Sequence, residues 1–180
     1  MTRTTRHLVM GLMMTGLAGA GRQAAAADAA SPAISRVRTS NATIAARIQQ
    51  ATEQSKTFRG LLETINASDG IVYVEEGVCG KGVRACFVKV TAAGQNRILL
   101  VKVEPSHRTD TEIMSSIGHE LRHTIEVLSE RGVTDEASLF FFYNRVGQNG
   151  GRAFETAAAV EAGNAVLAEV RHPGAHRNAH

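Results

Sequence analysis

The sequence has few of the features that mark a membrane protein, a disulfide-rich scaffold or a nucleic-acid-binding protein. It contains only two cysteines, and two thiolates alone do not make a zinc site. Beyond residue 27 it has no apolar run as long as the about 20 residues of a transmembrane helix. The sequence therefore indicates a small globular protein. Its length of 180 residues favours a single domain.

Residues 1–27 have the three parts of a secretory signal peptide. A basic start with Arg3 and Arg6 precedes an apolar run from Leu8 to Ala20, and small residues end at Ala27. We expect cleavage near Ala27 and export to the periplasm or the exterior, with an uncleaved membrane anchor as the alternative. No cysteine follows the apolar run, which argues against a lipid anchor.

The excess of positive charge belongs to this export segment. The whole chain has 20 Lys and Arg residues against 17 Asp and Glu residues, and Arg3, Arg6 and Arg22 account for the difference. The remaining charges balance, so the composition gives no support for nucleic-acid binding. We expect a monomer with no nucleic-acid partner and no membrane contact after cleavage.

The rest of the chain divides into a leader, a domain and a tail. Residues 28–40 mix Ala, Ser, Pro and Arg without a period and predict a flexible leader, and residues 171–180 predict a flexible tail. The domain, residues 41–170, begins with a helical pattern that slips near Ser55. One bent helix or two helices are therefore predicted there.

The predicted fold class is α+β. Three β-branched, alternating stretches predict an antiparallel meander, at residues 71–75, 85–91 and 97–103. A capping box at Thr109 begins a helix that runs to about Glu130. Two more helices are predicted at residues 136–145 and at about 153–170. We expect the meander to pack on the helix that starts at Thr109.

The two cysteines flank a tight Gly-Lys-Gly segment. Cys79 and Cys86 are predicted to face each other across a hairpin. An oxidising compartment favours a disulfide between them. The alternative is two unpaired thiols that pack as small apolar groups.

One short segment carries the chemistry. His119, Glu120 and His123 form an HExxH sequence within a predicted helix. Side chains four residues apart lie on the same helix face, so both imidazoles can bind one zinc ion. Zinc lowers the pKa of a water molecule that it binds, and Glu120 is placed to act as the general base. The apolar stripe of the helix lies opposite, which predicts that the histidines face away from the core.

A catalytic zinc site needs a third protein ligand. The metzincin pattern is excluded, because Ser129 stands where its third histidine would be. Glu155 fits best, because it follows a Gly-rich loop at the start of the last predicted helix, and Glu161 on that helix is its competitor. Asp135 loosely matches another pattern but is more simply a helix cap.

Three segments carry a family resemblance: Ser-Asp-Gly-Ile-Val-Tyr-Val at 68–74, Ile-Gly-His-Glu-Leu-Arg-His at 117–123 and Phe-Glu-Thr-Ala-Ala at 154–158. With them, about residues 58–169 resemble short exported bacterial proteins that have a minimal gluzincin-type zincin core. The resemblance implies a zincin-like fold and metallopeptidase activity on a peptide or protein substrate. Phe154 and Ala159 replace the Asn and Asp of the gluzincin third-ligand motif. A carboxylate that supports a ligand histidine must therefore come from elsewhere.

The sequence thus predicts a zinc-dependent hydrolase with His119, His123 and Glu155 as metal ligands and Glu120 as the base. One alternative is a zinc-binding module without turnover, in which Glu112 closes the fourth position. Another is a disulfide-stabilised binding domain without a metal.

Two further assignments stay open at this point. Tyr143 either steadies the oxyanion of a reaction intermediate or lines the core or the pocket. Arg122 and Glu126 lie four residues apart and are most simply a surface ion pair.

Overall fold

The computed structural model describes residues 35–80, 83–106, 108–146 and 155–173. This part of the chain contains five helices and four strands, an α+β fold as predicted. The helices are α1 (Ala42–Gln54), α2 (Lys56–Asn66), α3 (Asp110–Ser129), α4 (Glu136–Val146) and α5 (Ala157–Arg171). The strands are β1 (Val37–Arg38), β2 (Gly70–Glu76), β3 (Ala85–Ala93) and β4 (Asn96–Val103). The predicted signal peptide and most of the predicted leader and tail lie outside the described residues.

The sheet is mixed and has the order β1-β2-β4-β3. β2 and β4 are parallel neighbours, with Val72 opposite Leu99. β3 pairs antiparallel with β4 and forms an edge of the sheet. The predicted antiparallel meander is therefore wrong, because β4 lies between β2 and β3.

The apolar content of the strands explains this order. Every second residue of β4 is buried, including Leu99, Val101 and Val103, whereas β3 buries only Ala85 and Val90. In a meander, β2 and β4 would also run in the same direction and β3 in the opposite direction. Strand direction alone therefore does not distinguish the two strand orders. The more apolar strand gains most from a central, sheltered position, and the more exposed strand occupies the edge.

A fourth strand lies inside the predicted leader. Val37 is buried and pairs in parallel with Val72 of β2. The backbone N–H of Arg36 donates to Oδ1 of Asn66 at 2.9 Å. The prediction of a flexible leader is therefore wrong for Val37 and Arg38.

The slip in the first helical pattern marks a junction between two helices. Ser55 ends α1 by donating its backbone N–H to Ala51, and its hydroxyl accepts from the backbone N–H of Phe58 to begin α2. The carboxylate of Glu169 in α5 accepts from the hydroxyl groups of Ser55 and Thr57. The two-helix alternative is confirmed, and its junction is tied to α5.

The helix with the HExxH sequence begins at the predicted capping box. Thr109 accepts from the backbone N–H of Glu112, and the Glu112 carboxylate accepts from the backbone N–H of Thr109. Ile117 and Leu121, which belong to the predicted apolar stripe of this helix, are fully buried. Val127, on the opposite face that carries the histidines, is also fully buried. The prediction that this opposite face simply points away from the core is therefore wrong in part.

α3 and α5 approach each other closely where each helix has a glycine. A Cβ atom at Gly163 would lie 3.1 Å from Cβ of His119, and a Cβ atom at Gly118 would lie 2.8 Å from Cγ2 of Val166. The hydroxyl of Ser115 also donates to the carbonyl of Gly163 at 2.9 Å. Because glycine has no side chain, α5 can pack directly on the part of α3 that carries the histidines.

The last two helices have sharply defined starts. Asp135 caps α4 as predicted, because its Oδ1 accepts from the backbone N–H of Ser138 at 2.8 Å. α5 begins at Ala157, later than the predicted start near residue 153, and Thr156 is its N-cap. In the described parts of the chain, no helix has the length and apolar character to cross a membrane.

One buried guanidinium joins the sheet to the end of α3. Arg97 of β4 is 4% exposed, and its Nε and Nη2 bind the two carboxylate oxygens of Asp69 at 2.9 and 2.8 Å. The same guanidinium donates to the carbonyl oxygens of Val127, Leu128, Glu130 and Val133. The last turn of a helix leaves carbonyls without intrahelical partners. Arg97 satisfies these carbonyls and fixes the end of α3 against the sheet.

Replacing Arg97 by Met should strongly destabilise the fold. The variant leaves several carbonyl groups without a donor and removes a two-pronged ion pair, so we expect a loss of about 3–5 kcal/mol in the free energy of unfolding. Urea denaturation measures this loss. Lys89→Met, at an exposed position of β3, is the control and should change stability by less than about 0.5 kcal/mol. Equal midpoints for the two variants would contradict the role of Arg97.

The hydrogen bond and charge of Arg97 hold the pKa of Asp69 below its usual value. A carboxyl group whose folded pKa is lowered contributes stability above its unfolded pKa. That contribution is lost as the pH falls through the lower folded pKa, so the difference between wild type and Arg97→Met should shrink on acidification below about pH 4.

Candidate metal centre

The HExxH segment brings two histidines together on α3. The imidazole rings of His119 and His123 lie edge to face, with their centroids 4.9 Å apart. His123 is only 4% exposed, and the side chain of His119 is 22% exposed. Two ordinary histidines on a solvated helix face would be far more exposed, so the burial argues against that simplest interpretation.

Glu155 completes a group of three with these histidines. Its Oε1 lies 3.3 Å from Nε2 of His119 and 3.5 Å from Nε2 of His123. Donor atoms bound tetrahedrally at zinc distances of about 2.0–2.1 Å stand about 3.3–3.4 Å apart. The observed distances fit one shared ion, and the three side chains form a group that could hold a metal ion.

Glu155 reaches the histidines from a position just before α5. One residue, Thr156, separates it from the helix, and the backbone N–H of Thr156 donates to Oε1 of Glu155 at 3.1 Å. The competitor Glu161 lies within α5, is exposed and does not belong to the group. The structure therefore brings together the ligand set that the sequence favoured.

Two other candidate carboxylates are engaged elsewhere. Asp135 caps α4 through Ser138. Glu112 accepts from Thr109 and pairs with Arg84 at 3.4 Å. Neither carboxylate belongs to the group of three, so the geometry supports neither a ligand role for Asp135 nor closure of the site by Glu112.

Glu120 is buried beside the group. Its Oε1 lies 4.0 Å from Nε2 of His119. Burial raises the pKa of Glu120 to about 7. A carboxylate with such a pKa can accept and release a proton near neutral pH, which suits a general base.

The site also contains Glu126, which the sequence pattern did not single out. Its Oε2 lies 3.1 Å from Nδ1 of His123, and its Oε1 accepts from the hydroxyl of Thr156 at 2.7 Å. The predicted pair with Arg122 exists at 3.7 Å, but the side chain of Glu126 is only 12% exposed. A purely surface pair is therefore the wrong description. Residues three apart share a helix face, and this spacing from His123 is the signal that could have revealed Glu126.

The two histidines have opposite pKa shifts. Burial lowers the pKa of His119, which favours the neutral imidazole that binds metals. Burial acts in the same direction on His123, but the hydrogen bond with Glu126 and the charges of nearby carboxylates outweigh it and raise the pKa. The same contact, with the hydrogen bond from Thr156, lowers the pKa of Glu126 against the effect of its burial. Glu126 is therefore an ionised acceptor.

A cleft passes over the group. It consists of two adjoining cavities of about 240 and 220 Å³. Both cavities are lined by Val83, Ala85, His119, Glu120 and Glu155. The group and the candidate base thus lie where the two cavities meet, open to solvent and to a substrate.

The two ends of the cleft differ in character. The larger cavity is lined partly by polar residues, namely Ser115, Ser116 and Asn164. The smaller cavity is lined by the cysteine pair, Phe87 and Tyr143. Tyr143 is buried there, with its ring edge-on to His123 at a centroid distance of 5.7 Å. The pocket-lining alternative for Tyr143 is confirmed, and an oxyanion role stays a prediction.

Cys79 and Cys86 form a disulfide, as predicted, with their Cα atoms 5.8 Å apart. The bond joins Cys79, in the connection that follows β2, to Cys86 at the start of β3. Both cysteines line the smaller cavity, so the disulfide shapes one wall of the cleft.

No protein-family model, curated protein or solved structure matches the chain.

Replacing both cysteines by Ser should reduce stability. The disulfide joins residues 7 apart, and chain entropy predicts about 2–3 kcal/mol for so short a loop. Urea denaturation measures the loss, and reduced wild-type protein should lose the same amount. An unchanged midpoint in both samples would contradict a stabilising disulfide.

Proposed function

We propose that the protein is an exported zinc-dependent hydrolase that cleaves peptide bonds. The observation that carries this proposal is the convergence of His119, His123 and Glu155, whose ligand atoms lie within 4.8 Å of one another, with Oε1 of Glu155 at 3.3 and 3.5 Å from Nε2 of the two histidines. The buried carboxylate of Glu120 lies next to them in an open cleft. This arrangement agrees with the minimal gluzincin-type core that the sequence resembles.

The donor set favours zinc over other divalent ions. Two imidazole nitrogens and one carboxylate oxygen are the ligands of a common class of catalytic zinc sites. Calcium and magnesium prefer sets made of oxygen atoms alone. When bound, zinc supplies Lewis-acid activation of water and of a carbonyl group.

The residues of the chain supply the rest of the chemistry. Glu120, whose side chain lines the cleft, accepts the proton of the attacking water. The buried setting that raises the pKa of Glu120 also allows it to pass this proton to the leaving amine. General acid–base catalysis of this kind contributes about 10²–10⁴-fold to a reaction rate.

The edge of the sheet favours a peptide as the substrate. β3 is an edge strand, and its residues Ala85 and Phe87 line the cleft. An extended peptide can add to such an edge through backbone hydrogen bonds, which bind it largely independently of its side chains. The peptide bond would then lie across the group of His119, His123 and Glu155.

The sequence and the disulfide together support export. A disulfide such as Cys79–Cys86 persists in oxidising environments. The signal-peptide pattern at residues 1–27 predicts export to such an environment, the periplasm or the cell exterior.

Wild-type protein should bind about one zinc ion per chain. The loss of a residue that only supports a ligand weakens metal binding about 10- to 100-fold. Glu155→Gln removes a ligand itself, so it should weaken zinc binding by more than this. Glu161→Gln removes the exposed carboxylate of α5 and is the matched control, which should keep wild-type affinity. Competition with a chromogenic chelator measures all three proteins. A greater loss of zinc affinity in Glu161→Gln than in Glu155→Gln would assign the ligand role to Glu161. A folded wild-type protein that binds no zinc would refute the proposal.

Glu120→Gln should retain zinc and lose hydrolysis. The amide fills the same space but cannot accept the proton, so we expect kcat on a casein-derived peptide mixture to fall about 10²–10⁴-fold. Zinc content, measured on the same samples, should stay at about one per chain. Equal turnover by the two proteins would remove Glu120 from the mechanism.

A further inference from the structure

We propose that Glu126 is a positioning residue that holds two of the three metal ligands at once. It holds His123 directly and Glu155 through the neighbouring Thr156. This inference rests on the proposed metal centre but assigns a residue outside the HExxH sequence.

The two oxygen atoms of the Glu126 carboxylate have different partners. Oε2 lies 3.1 Å from Nδ1 of His123, and Oε1 lies 2.7 Å from the hydroxyl of Thr156. Nε of Arg122 is farther away, at 3.7 Å. One carboxylate therefore bridges α3 and the segment that begins α5, and its contact with Arg122 is the weakest of the three.

The first partner fixes the state of an imidazole ligand. Nδ1 of His123 faces a carboxylate oxygen of Glu126 at 3.1 Å. A hydrogen bond to this acceptor keeps the imidazole proton on Nδ1, so Nε2 keeps its lone pair. The bond also holds the ring plane, which leaves Nε2 of His123 3.5 Å from Oε1 of Glu155. A ligand histidine with a carboxylate partner on its other nitrogen is more basic and better oriented than one without such a partner.

The second partner fixes the carboxylate ligand. Glu155 lies before α5 and its side chain is 43% exposed, so the helix itself does not hold it. Thr156 holds it instead, because its backbone N–H donates to Oε1 of Glu155 at 3.1 Å. The Thr156 hydroxyl accepts from the backbone N–H of Ala159 at 3.2 Å while it donates to Glu126. The position of Glu155 is thus set through a chain of contacts that starts at Glu126.

Zinc affinity and the state of His123 together test this role. Glu126→Ala should weaken zinc binding about 10- to 100-fold, the range for loss of an outer-shell partner. Glu126→Gln should lose less, because its amide oxygen can still accept from Nδ1 of His123. Arg122→Gln removes only the distant ion pair and is the control, which should stay within about fivefold of wild type. Chelator competition measures the affinities.

The nitrogen spectrum of the imidazole distinguishes positioning from a general loss of structure. In ¹⁵N-histidine-labelled, zinc-loaded protein, the protonated Nδ1 of His123 should give a resonance that Glu126→Ala shifts and Arg122→Gln preserves. Substitutions of Thr156 test the hydrogen bond between its hydroxyl and Glu126. Thr156→Ser should retain wild-type zinc affinity, whereas Thr156→Val should lose affinity. The serine variant keeps the helix cap and the hydroxyl donor, so this pair stays informative if Glu126→Ala does not fold.

The outcomes separate this inference from the proposed function. Wild-type protein that binds no zinc refutes the metal centre itself. Wild-type protein that binds zinc, with Glu126→Ala within fivefold of it and an unchanged His123 resonance, overturns the role of Glu126 alone. Weaker binding and a shifted resonance in Glu126→Ala, with both preserved in Arg122→Gln, support it.

Discussion

The close contact between α3 and α5 is the constraint on which the rest of the site depends. Gly163 leaves room for His119, and Gly118 leaves room for Val166, so the two helix axes can come closer than larger side chains would allow. The histidines belong to α3, while Glu155 lies just before α5. Without this contact the three donor atoms would not converge, however well each helix formed.

Two polar anchors keep these helices in place from their far sides. Arg97 ties the carbonyl end of α3 to the sheet and to Asp69. Glu169 ties α5 to the junction at Ser55 between α1 and α2. A helix that is packed on one face and anchored at a polar end loses little further freedom when it holds a ligand, so its donor atoms are arranged before the ion binds.

The two buried carboxylates of α3 near the site acquire different properties from their surroundings. Glu120 lies 4.0 Å from Nε2 of His119, and burial raises its pKa. Glu126 receives hydrogen bonds from His123 and Thr156, which lower its pKa despite its burial. Two carboxylates whose environments separate their pKa values commonly have separate roles. The separation supports the roles proposed above, proton transfer for Glu120 and orientation of the ligands for Glu126.

Local patterns in the sequence were sufficient for the helices and for the HExxH pair, because hydrogen bonds and spacing within a few residues determine both. The capping box at Thr109, the break at Ser55 and the pairing of Cys79 with Cys86 belong to this group. The strand order and the role of Glu126 depended on contacts between distant segments. β4 lies between β2 and β3 because it is the more apolar strand, and Glu126 meets Thr156 only because α5 packs on α3. The sequence by itself determined the candidate ligands His119, His123 and Glu155, whereas the tertiary structure decided that they meet, since helix packing brings together residues that are 30 or more positions apart.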